Sequence, residues 1–188
     1  MNFQTYQDLF EHILDDHNPK APYDNADYFN YTKLNYSRSK RWLKHGKLTE
    51  SLKAVVEGIG QPQQWIVITE PWCGDASHIV PFLHMMSALN PLITVTYELR
   101  DAEPFRINDY LTKGGKAIPK LIIRDAEGND LATWGPRPAD CQKVYDRLKS
   151  ENADFEKMKI ALQHWYNENE GKDLQEEIGV LLRSMQPD

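Results

Sequence analysis

The sequence predicts an α/β fold in which a mixed four-stranded sheet is flanked by helices, with extra helices at the N- and C-terminal ends. Short apolar runs typical of strands alternate with stretches in which apolar residues recur every three to four positions. Two of the predicted strands are separated by a hairpin-type turn. The chain has 188 residues, 40% of them hydrophobic, and is therefore long enough to bury a substantial core.

The N-terminal part of the chain is predicted to be mainly helical. Residues 5–16 carry apolar side chains at helical spacing, whereas residues 18–30 contain two prolines and several Asp and Asn residues, which favour a loop. Residues 31–47 are basic and aromatic and are predicted to be largely helical. Thr49 is a suitable N-cap for a helix over residues 48–59.

The middle of the chain is predicted to contain two strands separated by a helix. Residues 65–69 form a short apolar run of the buried-strand type, which Pro71 ends. A helix is predicted over residues 75–89, where Pro81 removes one amide donor and is expected to kink the helix. Residues 92–99 alternate and are rich in β-branched side chains, which predicts the second strand.

The second half of the chain is predicted to complete the sheet. A short helix is predicted over residues 105–111, followed by strands over 120–124 and 131–134. Residues 125–130 between these strands are rich in turn-forming residues and predict an antiparallel hairpin. The other strands are separated by helical segments, which implies parallel pairing. Further helices are predicted over residues 139–149, 154–167 and 174–185.

Composition and charge disfavour several classes of protein. The net charge of −6 disfavours general binding to nucleic acid. Two cysteines are too few for a disulfide framework. No basic start leads into an apolar segment and no run is long enough to span a bilayer, so we expect a cytoplasmic protein with no membrane partner. The six histidines lack the usual zinc spacing and no glycine-rich phosphate loop is present, so neither a metal nor a cofactor is predicted.

The segment Trp72-Cys73-Gly74-Asp75-Ala76 is the strongest candidate for chemistry. Cys73 follows a predicted strand and precedes a predicted helix, whose first amides and dipole favour a negative charge. The Cys73 thiol is therefore expected to have a lowered pKa and to act as a nucleophile, the alternative being a small buried core residue. Asp75 is expected to stabilise the helix through the same dipole while opposing the Cys73 thiolate, and a proton relay through Asp75 is the alternative.

Several positions, in the same order along the chain, resemble the thioredoxin fold. A tryptophan precedes the cysteine, a proline follows the cysteine by eight residues, and an Ile-Pro pair stands where thioredoxins have their cis-proline. A glycine lies in the last hairpin and another follows the last strand, as in thioredoxins. These residues are Trp72, Pro81, Ile118, Pro119, Gly128 and Gly135.

The resemblance covers roughly residues 62–150 and predicts three segments. Residues 1–61 are predicted to be a helical N-terminal extension, residues 62–150 a thioredoxin-like core, and residues 151–188 C-terminal helices packed on that core. Three motifs resemble more narrowly a bacterial thioredoxin-like family with a helical N-terminal extension. They are Trp-Cys-Gly-Asp-Ala, Gly-Gly-Lys-Ala-Ile-Pro-Lys and Trp134-Gly135-Pro136-Arg137-Pro138.

Two departures from thioredoxins bear on the implied activity. Ala76 stands where the resolving cysteine would be, and Val67 stands where thioredoxins bury an aspartate. The resemblance therefore implies monothiol exchange through Cys73 with the disulfide of a protein or of a low-molecular-weight thiol, followed by release by an external thiol. The alternatives are a non-catalytic module that binds an extended peptide and a thiol sensor that reacts with peroxide.

The resemblance also implies a substrate groove around Cys73. Its predicted members are Trp72, Gly74, Asp75, Ile118, Pro119, Gly135 and Arg137. Arg137 follows the last strand and is predicted to support a thiolate or an anionic substrate, the alternative being a solvated loop residue. Cys141 follows at the same edge of the sheet, and we consider both a distant resolving thiol and an ordinary packed residue.

A basic segment over residues 33–47 admits three interpretations. Its cationic residues alternate with Tyr36 and Trp42, and Tyr31 precedes it. Such a segment can contact phosphate or RNA, it can be the solvated face of a helix, or it can fold over the Cys73 edge and shape a pocket.

Overall fold

The computed structural model describes residues 1–185 and contains one four-stranded sheet in the order β2-β1-β3-β4. The strands are β1 (Gln63–Thr69), β2 (Ile93–Leu99), β3 (Lys120–Arg124) and β4 (Asp130–Trp134). Strand β1 pairs in parallel with β2 and antiparallel with β3, and β3 pairs antiparallel with β4. The predicted mixed four-stranded sheet with flanking helices is thereby confirmed.

The parallel pairing predicted for the third strand is wrong. The connection from β2 to β3 has no crossover α-helix and contains a single 3₁₀ helix, Arg106–Asp109, where a short helix was predicted. The chain crosses to the far side of β1 and enters the sheet in the opposite direction, so that Leu121 pairs with Val67. Strand β4 consequently runs parallel to β1, and the C-terminal ends of both strands lie at one edge of the sheet.

Seven α-helices surround the sheet within the described residues. They are α1 (Phe3–Asp15), α2 (Ala26–His45), α3 (Glu50–Glu57), α4 (Gly74–Ser87), α5 (Ala139–Ser150), α6 (Phe155–Asn169) and α7 (Lys172–Ser184). No helix among residues 1–185 combines the length and the apolar character that crossing a bilayer requires. The last three residues of the predicted C-terminal segment 151–188 lie outside the described residues.

Helix α2 begins five residues before its predicted start. Asn25 is the N-cap, and its side-chain oxygen accepts hydrogen bonds from the amides of Asp27 and Tyr28. The predicted loop is therefore limited to residues before Asn25. At the next helix, Thr49 is the N-cap as predicted, and its side chain accepts a hydrogen bond from the Leu52 amide.

The core is continuous from the N-terminal helices through the sheet to α7. Tyr6 of α1, Leu52 of α3, Val67 of β1 and Ile178 of α7 belong to one cluster of buried side chains. Gln175 of α7 adds polar ties: its side chain accepts from the Thr49 amide at 2.8 Å and donates to the Lys47 carbonyl at 3.1 Å. The terminal helices thus pack on the sheet, while the division into three segments stays a prediction.

Candidate functional site

The fold brings Cys73 next to Ile118 although the two residues are 45 positions apart. Cys73 is the N-cap residue of α4, where β1 has ended, and its Sγ donates a hydrogen bond of 3.4 Å to the Ile118 carbonyl. The Ile118–Pro119 peptide bond is cis. The residue Cys73 is only 7% exposed, and it lies at the wall of a cavity.

The expected lowering of the Cys73 pKa is wrong for this arrangement. Burial raises the pKa of Cys73 to about 12, and the negative charge of Asp75 adds to this effect. Hydrogen bonds from the amides of Ala76 and Asp75 and the charge of Arg137 act in the opposite direction but are weaker. The helix N-terminus is present, as the sequence predicts, but desolvation of the sulfur outweighs it.

Asp75 lies in the first turn of α4, as predicted for a carboxylate that interacts with the helix dipole, and it also takes part in a buried polar cluster. Its carboxylate is buried and pairs with Arg137 at 2.8 Å, and Arg137 Nε donates a second bond of 3.0 Å. Tyr166 of α6 donates its hydroxyl to the same carboxylate at 2.7 Å. Arg137 is therefore neither a solvated loop residue nor an unpaired cation, since it is held against Asp75.

Cys141 shares part of these surroundings. It is completely buried at the start of α5, and burial together with the charge of Asp75 raises its pKa to about 12, while Tyr166 and the charge of Arg137 act in the opposite direction. Both thiols are free. Asp75 thus acts electrostatically on Cys73 and on Cys141, and the resolving role of Cys141 stays a prediction.

A cavity of about 740 Å³ opens at the Cys73 thiol; we call it the Cys73 cavity. Among the predicted groove residues, those that line it with Cys73 are Trp72, Gly74, Asp75, Ile118 and Arg137. The other two, Pro119 and Gly135, are not among the lining residues. Gly135 has a φ of +115°, and a Cβ there would clash with the Pro119 carbonyl oxygen, so this position requires glycine.

Helix α2 forms one wall of the Cys73 cavity. Of the basic segment 33–47, Arg38 alone lines the cavity, while its other Lys and Arg residues are exposed and Trp42 is buried, as expected for the solvated face of a helix. Tyr28, Tyr31 and Arg38 all line the cavity. The Tyr31 hydroxyl lies so close to Gly74 that a Cβ at Gly74 would be 2.6 Å from it. Trp72 packs edge-on against Tyr28, with ring centroids 5.8 Å apart.

Helix α6 also lines the cavity, and the sequence analysis missed its contribution. Tyr166, Gln163 and Lys159 line the cavity, and the Lys159 ammonium lies 4.8 Å from the Tyr31 ring centre. The aromatic pair Trp165-Tyr166 was visible in the sequence, but nothing local indicates that Tyr166 reaches Asp75.

His78 of α4 also lines the cavity, and its side chain is neutral. Its Nδ1 accepts from the Trp42 indole at 2.8 Å, and its ring stacks on Tyr166 with centroids 4.4 Å apart. Its Nε2 lies 3.0 Å from the Gln163 side-chain oxygen and is therefore the protonated nitrogen. Burial lowers the pKa of His78 to about 3. Within residues 1–185, no group of three or more potential metal-ligating His, Cys, Asp or Glu side chains occurs.

The chain matches the model of a known family and resembles several solved structures. The model of the family described as Thioredoxin matches residues 21–151. None of the curated proteins matches the chain. An HIV epitope-scaffold is 18% identical, with 98% of this chain and 99% of that chain covered and a TM-score of 0.55.

Two further solved structures are more distant. A protein of unknown function from Pseudomonas aeruginosa is 18% identical over 92% of this chain and 99% of its own, with a TM-score of 0.48. The NTD_N/C domain of the alkylhydroperoxide reductase AhpF from Enterococcus faecalis is 20% identical over 52% of this chain and 48% of its own, with a TM-score of 0.41. At these identities, the structural likeness concerns the fold alone.

Proposed function

The chain belongs to the thioredoxin family, and from this premise we propose that Cys73 exchanges with the disulfide of a substrate that enters the Cys73 cavity. The observation that carries the proposal is the position of the sulfur. It lies on a cavity wall, between the first amides of α4 and the Ile118 carbonyl. Amide donors at this position stabilise the thiolate, which is the nucleophile in disulfide exchange.

The proposed exchange consists of two balanced steps. The Cys73 thiolate attacks one sulfur of the substrate, a Cys73–substrate disulfide forms, and the other half of the substrate leaves as a thiolate that takes up a proton. The thiolate of an external low-molecular-weight thiol then attacks the substrate sulfur of this mixed disulfide. Cys73 leaves as a thiolate and is reprotonated, and the product is a disulfide between the substrate half and the external thiol. The external thiol replaces the resolving cysteine that Ala76 does not supply.

The protonation state of Cys73 sets the expected rate. With a pKa of about 12, roughly one thiol in 10⁵ is ionised at pH 7. Exchange is therefore expected to be slow at neutral pH and to accelerate about ten-fold for each pH unit, because the thiolate fraction grows by that factor.

The burial and the raised pKa of the Cys73 thiol favour a second candidate, a non-catalytic module that binds a ligand in the Cys73 cavity. A buried thiol with a raised pKa is a poor nucleophile, and both Ala76 and Val67 lack the groups that assist thioredoxins. A peroxide sensor is less well supported, since oxidation by peroxide also requires the thiolate.

The two candidates differ in whether Cys73 forms a mixed disulfide. We expect the reduced protein to form an adduct with 2-hydroxyethyl disulfide between pH 8 and 10, detectable by intact mass under non-reducing conditions and removed by dithiothreitol. Cys73→Ser should form no adduct, and Cys141→Ala should retain it. Absence of a Cys73 adduct across this pH range would exclude exchange and leave the ligand-binding candidate. Conversion of the wild-type adduct into a Cys73–Cys141 disulfide would assign the resolving role to Cys141.

A further inference from the structure

The Cys73 cavity is cationic although the chain is acidic. Seven Lys and Arg side chains line the cavity against three Asp side chains, an excess of four positive charges, whereas the whole chain carries a net charge of −6. His78 adds no charge at neutral pH, because its pKa is lowered to about 3. Cationic residues are thus concentrated at the one cavity that contains Cys73, and a cavity of this sign attracts anions.

Four of the seven cations have a carboxylate partner within ion-pair distance. The pairs are Arg137–Asp75 at 2.8 Å, Arg100–Asp101 at 2.5 Å, Lys159–Glu156 at 2.5 Å and Lys113–Asp146 at 3.6 Å. The Lys113–Asp146 pair joins exposed side chains and contributes little. These partners account for two of the three lining aspartates, and the third, Asp27, stands at the exposed start of α2.

Arg38, Lys116 and Lys149 have no carboxylate within 4.0 Å among residues 1–185. They belong to three different walls: Arg38 to α2, Lys116 to the loop that leads into Ile118, and Lys149 to the end of α5. Arg38 donates only to the neutral Asn35 side chain, at 3.0 Å. These three cations, which come from three different elements of the cavity lining, are therefore available to bind anionic groups in the cavity.

The volume and walls of the cavity fit a small molecule. Its volume of about 740 Å³ lies within the roughly 300–1,000 Å³ usual for small-ligand pockets. The walls carry six aromatic side chains, and both α2 and α6 contribute to them, with Lys159 of α6 lying 4.8 Å from the Tyr31 ring of α2. A low-molecular-weight disulfide fits a cavity of this volume.

We propose that the Cys73 cavity binds a low-molecular-weight disulfide that carries a carboxylate on each of its halves. In this proposal one sulfur of the ligand contacts the Cys73 thiol, and its two carboxylates bind to the cations without a carboxylate partner, Arg38, Lys116 and Lys149. The inference rests on the proposed exchange at Cys73 for its chemistry, but the charge preference of the cavity is a property of binding and is measurable without exchange.

The exchange test compares two disulfides of similar size and different charge. For each thiol, the rate of reaction with 3,3′-dithiodipropionate is divided by the rate with 2-hydroxyethyl disulfide at pH 8.5. We expect this ratio to be larger for the protein than for the free thiol 2-mercaptoethanol. Arg38→Gln, Lys116→Gln and Lys149→Gln should each lower this preference roughly two- to five-fold. Lys33→Gln is the matched control, since Lys33 is exposed on α2 and does not line the cavity. Equal ratios for protein and free thiol, or an equal loss in Lys33→Gln, would overturn the inference.

A binding test separates the charge preference from the exchange reaction. The unreactive thioether 3,3′-thiodipropionate should bind the reduced wild-type protein more tightly than neutral 2,2′-thiodiethanol, as measured by calorimetry. The difference should shrink as salt is raised from about 10 mM to 0.15 M, because the Debye length falls from roughly 30 to 8 Å. Preferential dicarboxylate binding without any Cys73 adduct would retain the cavity's ligand class and reject the exchange. An adduct without charge preference would retain the exchange and reject the ligand class.

Discussion

At the scale of single residues, the position of Cys73 was predictable but its ionisation was not. The strand-to-helix junction and the following amides are local features, and the structure contains them. The pKa is set by burial and by Asp75, whose charge is held in place by Arg137 and Tyr166. Tyr166 lies 91 positions from Asp75, so no local pattern reports this cluster.

Replacing Asp75 by Asn is expected to make Cys73 more reactive. The carboxylate charge raises the pKa of Cys73, so its removal lowers that pKa, and Arg137, freed from its partner, acts in the same direction. Alkylation of Cys73 by iodoacetamide at pH 8, followed by peptide mass analysis, should therefore be faster in Asp75→Asn than in wild type.

Unfolding must be separated from this effect. Cys141 serves as an internal reporter of unfolding. Loss of the Asp75 charge lowers its pKa too, but Cys141 is completely buried and reagent reaches it only after local unfolding, whereas Cys73 lines the cavity. Asp146→Asn, a substitution at an exposed aspartate that lines the same cavity, is the matched control. A Cys73 rate equal to that of wild type would contradict the electrostatic role of Asp75.

At the scale of elements, hydrogen bonds join the C-terminal ends of β1 and β2. Glu70 follows β1, is buried, and accepts a hydrogen bond of 3.0 Å from the Asp101 amide just after β2. The Arg100 amide donates to the Thr69 carbonyl at 3.2 Å, and the Arg100 guanidinium lies 4.6 Å from the Trp72 ring centre. The turns that carry Trp72 and Arg100 into the cavity wall are thus held by backbone amides and one carboxyl group.

Glu70 is expected to make stability depend on pH. Burial raises its pKa from 4.5 to about 7, so the folded state prefers the protonated carboxyl. The unfolded chain ionises first as pH rises, and the wild type therefore loses stability between about pH 4.5 and 7, by roughly 3 kcal/mol at most. Glu70→Gln keeps an acceptor for the Asp101 amide and lacks this loss.

Urea denaturation at pH 4.5 and pH 8 measures the effect. The free energy of unfolding of Glu70→Gln, relative to wild type, should be higher at pH 8 than at pH 4.5. Glu127→Gln, at an exposed position in the β3–β4 hairpin, is the control and should follow wild type at both pH values. If the free energies of unfolding of Glu70→Gln and wild type differed by the same amount at both pH values, the raised pKa of Glu70 would be contradicted.

At the scale of the whole molecule, one core connects the terminal helices to the sheet. Leu174, Ile178 and Leu182 of α7 are buried in the same cluster as Leu52 and Val56 of α3. Burial of each such side chain is worth roughly 1.5–3 kcal/mol, which is a large share of the stability of a small domain. We therefore expect residues 1–185 to unfold as one cooperative unit.

Ile178→Ala tests this cooperativity. The substitution leaves a cavity at a fully buried position and should lower the free energy of unfolding by about 2–5 kcal/mol. Far-UV circular dichroism and tryptophan fluorescence should report one coincident urea transition, shifted to lower urea. Val180→Ala, at an exposed position of the same helix, should change stability by less than about 0.5 kcal/mol. Two separated transitions would instead mean that α7 unfolds independently of the sheet.

The sequence by itself determined the elements and the place of the thiol, because these depend on neighbours within a few positions. Apolar periodicity predicted the strands and most helices, the N-cap residue Thr49 predicted the start of α3, and the order of elements with Trp72, Cys73 and Pro119 predicted the fold. The start of α2 was missed because its N-cap, Asn25, lies in a segment whose Pro, Asp and Asn residues predict a loop.

Only the tertiary structure decided the direction of β3, the raised pKa of Cys73 and the cationic cavity. The fold brings together groups that are distant in sequence. Ile118 contacts Cys73, Tyr166 contacts Asp75, and α2 and α6 line the same cavity. Desolvation and Coulomb interactions act through space, and their balance at the sulfur follows from how many side chains the fold packs around it.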